Sequence, residues 1–291
     1  MSNPGVLFTV AYPQALDFLK DFHKSVLSQT RKDFDIIIVN DGCNVDSITS
    51  IFQGINVKIL DAVGGFSANR IQGIDYARNL HYKYILFCDA DDTFSSERYE
   101  RTMEVFDNSH ADIIVSNLNI VDEQCTLLIK DYFSKELPHS SWIDAAFEQD
   151  KNIFGMSNTA IRLEALKDTI QLPETPIVDW CLFTTLLLKG LKALYITDSL
   201  VNYRQYNSNL LGINKFDVAS FRRLSELKIN HYRLLSEMGH PQYQQLMQEC
   251  KALLFLSDSE IDSIVKQELY VHSQPLWWQI ITNNNTKKNQ Q

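Results

Sequence analysis

The sequence predicts an α/β fold in which a mostly parallel sheet is flanked by helices and followed by a C-terminal helical region. Short apolar runs rich in Ile and Val recur over the first 116 residues, and segments of helix length separate them. Runs of this kind are typical of strands in a parallel sheet that helices cover on both faces. From about residue 215 onward the apolar spacing is that of helices.

A β-α-β unit opens the chain. The apolar run at residues 6–10 predicts a strand, apolar residues at helical spacing between positions 16 and 27 predict a helix, and residues 34–39 predict a second strand. Residues 40–42, Asn-Asp-Gly, form a turn sequence that ends this second strand.

The same alternation continues to residue 116. It predicts strands at residues 57–60, 84–88 and 111–116 and helices at residues 67–80 and 97–108. Residues 120–129 then predict a hairpin, because a polar break interrupts an apolar run, and the parallel pattern ends there. Prolines 173 and 176 mark a loop that leads to a helix beginning at Asp179, which we expect to cap that helix.

The last part of the chain predicts helices and a tail. Apolar residues at helical spacing run through residues 221–238, 246–256 and 261–269. Residues 283–291 are rich in Asn, Lys and Gln without an apolar face, which is typical of a frayed tail. The pair Trp277-Trp278 could touch a membrane surface or a partner, or could pack in the interior.

Composition narrows the class of protein. The 291 residues are 45% hydrophobic and 22% charged, which is ordinary for a globular protein. A formal net charge of -9 argues against a nucleic-acid binder, since such a protein needs a basic face. Five cysteines without a Cys-x-x-Cys pair suggest neither a disulfide framework nor a zinc ribbon. Without a signal-like or membrane-spanning run, we expect a cytoplasmic protein with at most peripheral contact with the inner face of the membrane.

Three carboxylates end the predicted strand at residues 84–88. Asp89, Asp91 and Asp92 lie within a span of four residues. Carboxylates this close repel one another unless they are protonated or neutralised by a cation, and oxygen ligands without His or thiolate favour Mg²⁺ or Mn²⁺. Ligands of parallel sheets gather beyond the carboxyl ends of the strands, where we also expect Asp41. Taken alone, the cluster could equally be a solvated turn after a strand.

Two segments carry a resemblance to a known family. Residues 33–42, Asp-Phe-Asp-Ile-Ile-Ile-Val-Asn-Asp-Gly, and residues 84–92, Tyr-Ile-Leu-Phe-Cys-Asp-Ala-Asp-Asp, closely resemble family 2 glycosyltransferases of the GT-A fold. The resemblance implies a Rossmann-like sheet, contact between Asp41 and the nucleotide base, and a metal-binding Asp-x-Asp motif in the second segment. It is strong over residues 6 to about 117.

Shorter motifs extend the resemblance. Residues 67–74 resemble the family's Ala-Arg-Asn-x-Gly helix start, with Arg70 and Gly73 in register. Residues 25–30 match a helix that ends Ser-x-x-x-Gln-Thr. An Arg at this place is suited to hydrogen-bond base or phosphate oxygens, because its planar guanidinium carries several donors.

Beyond residue 117 the resemblance thins. Val178-Asp179-Trp180 looks like the family's Glu-Asp-Trp, whose Asp is the catalytic base. Residues 203–209 are similar to a Tyr-Arg-x-His segment that closes over the donor in many members. The sequence departs from the family at four places, with Val178 for Glu, Tyr206 for His, Ile71 for Asn, and residues 10–13 for Pro-Thr-Tyr-Asn.

The resemblance implies an inverting glycosyltransferase of surface polysaccharide or glycoconjugate synthesis. It would move a sugar from a nucleoside diphosphate sugar, UDP- or dTDP-linked, to a hydroxyl of a glycan, glycolipid or protein-linked acceptor, with Mg²⁺ or Mn²⁺. Residues 1–120 would form the nucleotide-sugar-binding half of the GT-A domain, 121–214 the acceptor-binding half, and 215–291 the helical region. The expected site comprises Asp179 as catalytic base, Asp91 with Asp89 and Asp92 as metal ligands, Trp180 at the acceptor, and Ala11, Tyr12, Asp41, Arg70, Asp89 and Arg204 at the nucleotide sugar.

These residues also have purely structural interpretations. Asp41 would then be a turn residue, Arg70 a residue on a helix surface and Asp179 a helix cap. Arg204 would form an ion pair on the surface, and Tyr12 and Trp180 would pack in the core. The departures at Val178 and Tyr206 leave a second function open, a catalytically silent nucleotide-sugar-binding module or assembly subunit. A nucleotidyltransferase would need a Gly-rich loop bearing Lys or Arg after the first strand, which residues 10–13 do not supply.

Overall fold

A computed structural model of the chain describes residues 3–206 and 217–271, with the backbone alone at residues 268–271. The predicted tail, the pair Trp277-Trp278 and the last three residues of the predicted segment 203–209 lie outside the described residues.

The chain divides into two compact units. The first comprises Met1–Asp144 and Phe154–Tyr206, and the second comprises Ala145–Ile153 and Asn207–Gln291. The three-part division of the chain at residues 120 and 214 stays a prediction.

The first four strands form a parallel sheet, as the sequence predicts. They lie side by side in the order β3-β2-β1-β4, with bounds β1 Gly5–Ala11, β2 Phe34–Asn40, β3 Val57–Asp61 and β4 Tyr84–Phe87. Every residue of β1 is buried. Ala11 lies opposite Asn40 and Phe8 lies opposite Phe87, so the carboxyl ends of β1, β2 and β4 meet at one edge of the sheet.

Helices accompany these strands, and one of them was not predicted. Their bounds are α1 Leu19–Leu27, α2 Val45–Ile51, α3 Phe66–Asn79 and α4 Arg98–Asn108. Helix α2 has seven residues, too few for a periodic apolar pattern to indicate a helix, and Ile48 is its buried residue. Asn44 caps it by accepting hydrogen bonds from the backbone N–H groups of Asp46 and Ser47, at 2.8 and 3.3 Å.

Helix α3 packs against β1 at Gly73, the glycine of the family-like motif. A Cβ atom built on Gly73 would lie 2.1 Å from the Phe8 ring, so only a residue without a side chain fits. The neighbouring Ile74 and Ala77 are also fully buried. The glycine therefore sets the distance between α3, which carries Arg70, and the centre of the sheet.

We expect Gly73→Ala to lower the free energy of unfolding by about 1–3 kcal/mol, because the new methyl group must displace the Phe8 ring from a packed core. Urea unfolding followed by circular dichroism measures the change. Asn79→Ala, at the exposed end of the same helix, should change the free energy by less than about 0.5 kcal/mol. Trimming the ring with Phe8→Leu should recover part of the loss in the Gly73→Ala background. Equal effects at positions 73 and 79 would contradict the packing argument.

Six further strands complete the sheet of the described residues. Their bounds are β5 Thr93–Phe94, β6 Ile113–Val121, β7 Leu127–Ile129, β8 Ser141–Ile143, β9 Thr159–Arg162 and β10 Ala193–Arg204. From β4 the order continues β9-β6-β10-β5, with β7 paired to β6 and β8 paired to β10. Strand β9 is antiparallel to both of its neighbours, and β6 and β7 form the predicted hairpin. The alternation of strand and helix therefore ends where the sequence predicts, but parallel pairing does not. Strand β9 separates β4 from β6, and β10 pairs parallel with β6.

The long strand β10 was not predicted. Its register against β6 shifts on both sides of Ser199, and the polar pair Asp198-Ser199 breaks the apolar alternation of the segment. Near its carboxyl end β10 pairs antiparallel with β5, with Asn202 opposite Thr93. This pairing brings Arg204 beside the carboxylates that precede β5. Helix α5, Val178–Leu188, precedes β10 and is buried along most of its length.

The second unit is helical, as the sequence predicts for the C-terminal region. Its helices are α6 Val218–Glu237, α7 Tyr243–Leu254 and α8 Asp258–Val271. Phe221, Leu253, Ile261 and Val265 form their common core. Tyr232 of α6 donates a hydrogen bond to the Gln149 carbonyl over 3.1 Å, which joins the helices to the segment Ala145–Ile153. Among the described helices, none has both the length and the apolar character to cross a membrane.

Candidate active site

The acidic loop, residues 89–92, begins where β4 ends. The Cys88 N–H still donates to the Phe8 carbonyl of β1, at 2.9 Å, and the chain then turns, with the Asp92 N–H donating to the Asp89 carbonyl at 3.2 Å. Buried Arg98 of α4 holds the residues on both sides of the loop. It donates to the Cys88 sulfur at 3.0 Å, and its guanidinium lies 5.1 Å from the centre of the Phe94 ring. The loop is therefore held by the central strand and by α4.

The family-like Gln-Thr pair at the end of α1 holds the segment after the acidic loop. The Gln29 amide donates to the Ser95 carbonyl at 2.7 Å and accepts from the Tyr99 N–H at 2.9 Å. The Thr30 N–H donates to the Ser96 carbonyl at 2.8 Å. The motif therefore positions residues near the site without contributing to its chemistry.

Asp89 and Asp92 meet at the hydroxyl of Ser157, a residue that the sequence reading missed. The hydroxyl donates to Asp92 Oδ2 and lies 3.3 Å from Asp89 Oδ2. Burial, opposed by Arg70 and reinforced by Asp91, raises the pKa of Asp89 to about 7. Burial and the charges of Asp91 and Asp89 raise the pKa of Asp92 well above its ordinary value. Negative charge is thus crowded at this loop, and a cation would relieve the repulsion.

Asp91 faces the end of β1. Its Oδ2 accepts hydrogen bonds from the hydroxyls of Tyr12, at 2.9 Å, and Tyr206, at 2.6 Å. The Tyr206 ring packs on Phe18, with ring centroids 5.0 Å apart. The structure thus brings together Tyr12, Asp91 and Tyr206, the residue that stands where the family commonly has His.

Arg204 holds the acidic loop from the end of β10. Its backbone N–H donates to Asp92 Oδ1 at 2.7 Å, its Nε donates to the Asp91 carbonyl at 2.7 Å, and its guanidinium reaches Asp21 at 3.1 Å and the Glu123 carbonyl. The residue is only 2% exposed. The surface pairing considered for Arg204 is therefore wrong, and these protein contacts favour a positioning role over direct contact with the diphosphate.

Asp41 and Ala11 lie at the ends of the neighbouring strands. Asp41 is exposed, and its backbone N–H donates to the Ala11 carbonyl at 2.7 Å. Ala11 itself is buried, so its contribution to a ligand site is limited to the backbone. Arg70 of α3 lies 3.7 Å from Asp89 Oδ1. The edge of the sheet therefore carries an exposed carboxylate at one strand and an arginine that points to the acidic loop.

Asp179 reaches the same site from α5. It is the second residue of the helix, and Ile177 is the N-cap residue, so the prediction that Asp179 caps the helix was wrong. Its carboxylate instead accepts from the Trp180 N–H at 2.8 Å in the first turn. Its negative charge is one of the causes that raise the pKa of Asp89, after burial and the charge of Asp91.

Trp180 does not face an acceptor. Its side chain is 0% exposed and is the largest fully buried side chain among the described residues. A ring in this position cannot stack on a sugar, so the prediction of an acceptor contact was wrong. The helical spacing of Trp180 reflected the core, because α5 is apolar on nearly every face.

A carboxylate missed by the sequence reading joins α3 to the loop before α5. Glu174 accepts hydrogen bonds from the backbone N–H groups of Phe66 and Ser67 at the start of α3. The Ser67 hydroxyl donates in turn to the Pro173 carbonyl at 2.8 Å. A Cβ on Gly65 would lie 2.5 Å from the Glu174 carboxylate, so the glycine permits the approach. The contact fixes the helix of Arg70 to the segment that leads to Asp179.

We expect Glu174→Ala to lower the free energy of unfolding by about 0.5–2 kcal/mol, because the first N–H groups of α3 lose their acceptor and the helix dipole loses its counter-charge. Urea unfolding measures the loss. Glu164→Ala, which removes a side chain that is 75% exposed, should change the free energy by less than about 0.5 kcal/mol. A Glu174→Ala protein as stable as the wild type would show that the contact does not cap the helix.

The donor set suits a divalent cation that arrives with a nucleotide. In the part of the chain that the structure describes, no three His, Cys, Asp or Glu side chains form a ready-made metal site. Mg²⁺ usually takes one or two carboxylates and completes its shell with water and substrate phosphates. The crowded oxygens of Asp89, Asp91 and Asp92 fit that mode, because they supply hard ligands whose repulsion a cation would offset.

Comparison with known proteins decides the family. Residues 7–168 match the model of glycosyl transferase family 2. The chain belongs to this family. The match contains Asp41, Arg70 and the acidic loop, whereas Asp179 and Arg204 lie beyond it. The GT-A fold predicted from the sequence is confirmed.

Individual relatives of this family 2 glycosyltransferase agree with the assignment. The putative teichuronic acid biosynthesis glycosyltransferase TuaG of Bacillus subtilis is 27% identical over 229 residues, which cover 75% of this chain and 86% of that protein. The crystal structure of S. aureus TarS 1-349 in complex with UDP-GlcNAc superposes with a TM-score of 0.59 at 15% identity, covering 93% of this chain and 81% of that chain. The mannosyltransferase PcManGT from Pyrobaculum calidifontis, in complex with GDP-Man and Mn²⁺, gives a TM-score of 0.57 at 12% identity, covering 93% and 75%. At these identities the structural likeness shows the fold.

Proposed function

We propose that this family 2 glycosyltransferase is an inverting, divalent-metal-dependent enzyme that transfers a sugar from a UDP- or dTDP-sugar to a hydroxyl group. One observation carries the proposal. The charge of Asp179, at the start of α5, acts on Asp89 of the acidic loop and helps to raise its pKa, although the two lie 90 residues apart in the chain. A base candidate and a diphosphate-binding candidate thus belong to one site.

The chemistry divides between these groups. Transfer requires that the acceptor hydroxyl loses its proton while the diphosphate leaves with additional negative charge. Asp179 is suited to take the proton, because a positioned carboxylate can act as a general base. Mg²⁺ or Mn²⁺ held by the acidic loop would supply Lewis-acid stabilisation to the leaving diphosphate. A single base opposite a single leaving group inverts the anomeric carbon.

Residues at the edge of the sheet and the relatives support the proposed donor and acceptor. In this proposal Asp41 and Tyr12, at the ends of β2 and β1, contact the nucleotide, and Arg70 contacts base or phosphate oxygens. The UDP-GlcNAc bound by S. aureus TarS supports a uridine donor. The name of B. subtilis TuaG supports a glycan acceptor in surface polysaccharide synthesis. A glycolipid or protein-linked acceptor, used at the inner face of the membrane, is part of the same proposal.

Nucleotide release from a panel of donors tests the function. The chain is incubated with UDP-, dTDP- and GDP-sugars, with Mn²⁺, with Mg²⁺ or with EDTA, and free nucleoside diphosphate is measured. We expect one donor class to release nucleotide only with the metal, and NMR of the product to show an inverted anomer. Thermal stabilisation by a nucleotide sugar without any release, in the presence of glycan acceptors, would instead support a catalytically silent binding module.

A further inference from the structure

Two tyrosine hydroxyls share one oxygen of Asp91. Tyr12 donates to Asp91 Oδ2 over 2.9 Å, Tyr206 donates to the same atom over 2.6 Å, and the two hydroxyl oxygens lie 3.4 Å apart. Burial and the adjacent charge of Asp91 raise the pKa of both phenols above their ordinary value. Both groups therefore remain protonated hydrogen-bond donors at neutral pH.

These two hydrogen bonds occupy one oxygen of the Asp91 carboxylate. A carboxylate oxygen has about two lone-pair positions, and two O–H donors occupy both of them on Oδ2. Asp91 Oδ1 accepts no hydrogen bond within residues 3–206 and 217–271. Asp91 therefore offers a cation one oxygen and cannot chelate it with two.

The neighbouring carboxylate Asp92 offers little more. Its Oδ1 accepts from the Arg204 backbone N–H at 2.7 Å, and its Oδ2 accepts from the Ser157 hydroxyl. Asp89 Oδ2 lies 3.3 Å from the same hydroxyl, and its Oδ1 lies 3.7 Å from Arg70. The acidic loop has high charge but few oxygens that are open to a cation.

Tyr206 and the Asp91 backbone are themselves held in place. The Tyr206 ring packs on the Phe18 ring. The Arg204 guanidinium also lies on the Phe18 ring, 4.5 Å from its centre. Arg204 also donates to the Asp91 carbonyl. The backbone of Asp91 and its Oδ2 are thus both fixed, which leaves Oδ1 in a defined direction.

We propose that Tyr12 and Tyr206 are positioning residues that make cation binding depend on the nucleotide. Because the two phenols occupy one oxygen of Asp91, the protein alone binds Mg²⁺ or Mn²⁺ weakly. The diphosphate then supplies the metal ligands that the protein lacks. The inference rests on the proposed function, because it requires a nucleoside diphosphate in this site. The two tyrosines would thus be the reason why metal binding depends on the nucleotide of the donor.

Mn²⁺ binding with and without UDP tests the inference directly, with free Mn²⁺ measured by electron paramagnetic resonance. We expect UDP to tighten Mn²⁺ binding to the wild type by about 100-fold or more. In the Tyr12→Phe/Tyr206→Phe variant that factor should fall by about 10-fold or more, because Asp91 Oδ2 becomes open to the cation and Mn²⁺ binding without UDP tightens. Tyr82→Phe is the matched control. Tyr82 donates a hydrogen bond of 2.6 Å to Asp35, which is not part of the acidic loop, so this variant should leave the factor unchanged.

The outcomes separate this inference from the proposed function. Wild-type protein that binds Mn²⁺ equally tightly without UDP would overturn the inference, as would a folded double variant with the wild-type factor. If no nucleotide in the donor panel binds the wild type in the presence of Mn²⁺, the proposed function fails and the inference with it. Thermal melting establishes that each variant is folded, and the single variants, each with a smaller loss, replace the double variant if it unfolds.

Discussion

Sugar transfer by the Asp179→Asn variant is expected to fall by about 10²- to 10⁴-fold, while its affinity for the nucleotide sugar stays that of the wild type. The amide keeps the shape of the side chain and can still accept from the Trp180 N–H, but it cannot take a proton from the acceptor hydroxyl. In the proposed function other residues, at the edge of the sheet, bind the donor, so donor binding should persist. Initial rates of nucleotide release, together with calorimetric titration of UDP-sugar, measure the two quantities.

Asp46→Asn provides a matched control for this variant. Asp46 is the second residue of α2, as Asp179 is the second residue of α5, and it is exposed. Both substitutions weaken a favourable interaction with a helix dipole by about 0.3–1 kcal/mol, but only the change at Asp179 should affect transfer. Full activity of Asp179→Asn would remove the base from the proposed mechanism. A parallel loss in Asp46→Asn would show that the rate follows helix stability.

The parallel sheet and its acidic loop could be predicted because their signals are local. The apolar run of β4 stops at Asp89, and the carboxyl ends of parallel strands meet at one edge whatever the connections between them. Strand β10 was missed because a register shift at Ser199 breaks its alternation of apolar and polar residues. Trp180 was assigned to the acceptor because it adjoins Asp179 in the family-like motif, although its helical spacing is typical of the core position that it occupies.

The residues that complete the site were harder to predict, since their partners are distant in the chain. Ser157 lies 65 residues from Asp92, and Glu174 lies 107 residues from Ser67. Neither belongs to a periodic pattern or a short motif, and Ser and Glu are common on surfaces. Tyr206 was noted only as a departure from the family. Its hydrogen bond to Asp91 depends on the pairing of β10 with β5, which the sequence does not specify.

The second large effect is expected at Asp91. Transfer by Asp91→Asn should fall by at least about 100-fold, because the site loses a negative charge and a metal ligand that would stabilise the leaving diphosphate. In contrast to Asp179→Asn, this variant should also lose the Mn²⁺-dependent part of its UDP affinity. Calorimetric titration of UDP with and without Mn²⁺ separates the two variants, since only the change at Asp91 removes the difference between the two titrations.

Folding cannot account for the expected loss at Asp91. Without metal, Asp91→Asn should be at least as stable as the wild type, because its charge contributes to the repulsion that raises the pKa of Asp89 and Asp92. Asp35→Asn changes a comparable pair, in which Tyr82 donates to Asp35, and should retain both transfer and metal-dependent UDP binding. If Asp91→Asn still binds UDP more tightly with Mn²⁺, the cation is held by Asp89 or Asp92, and the two tyrosines on Asp91 must serve another purpose.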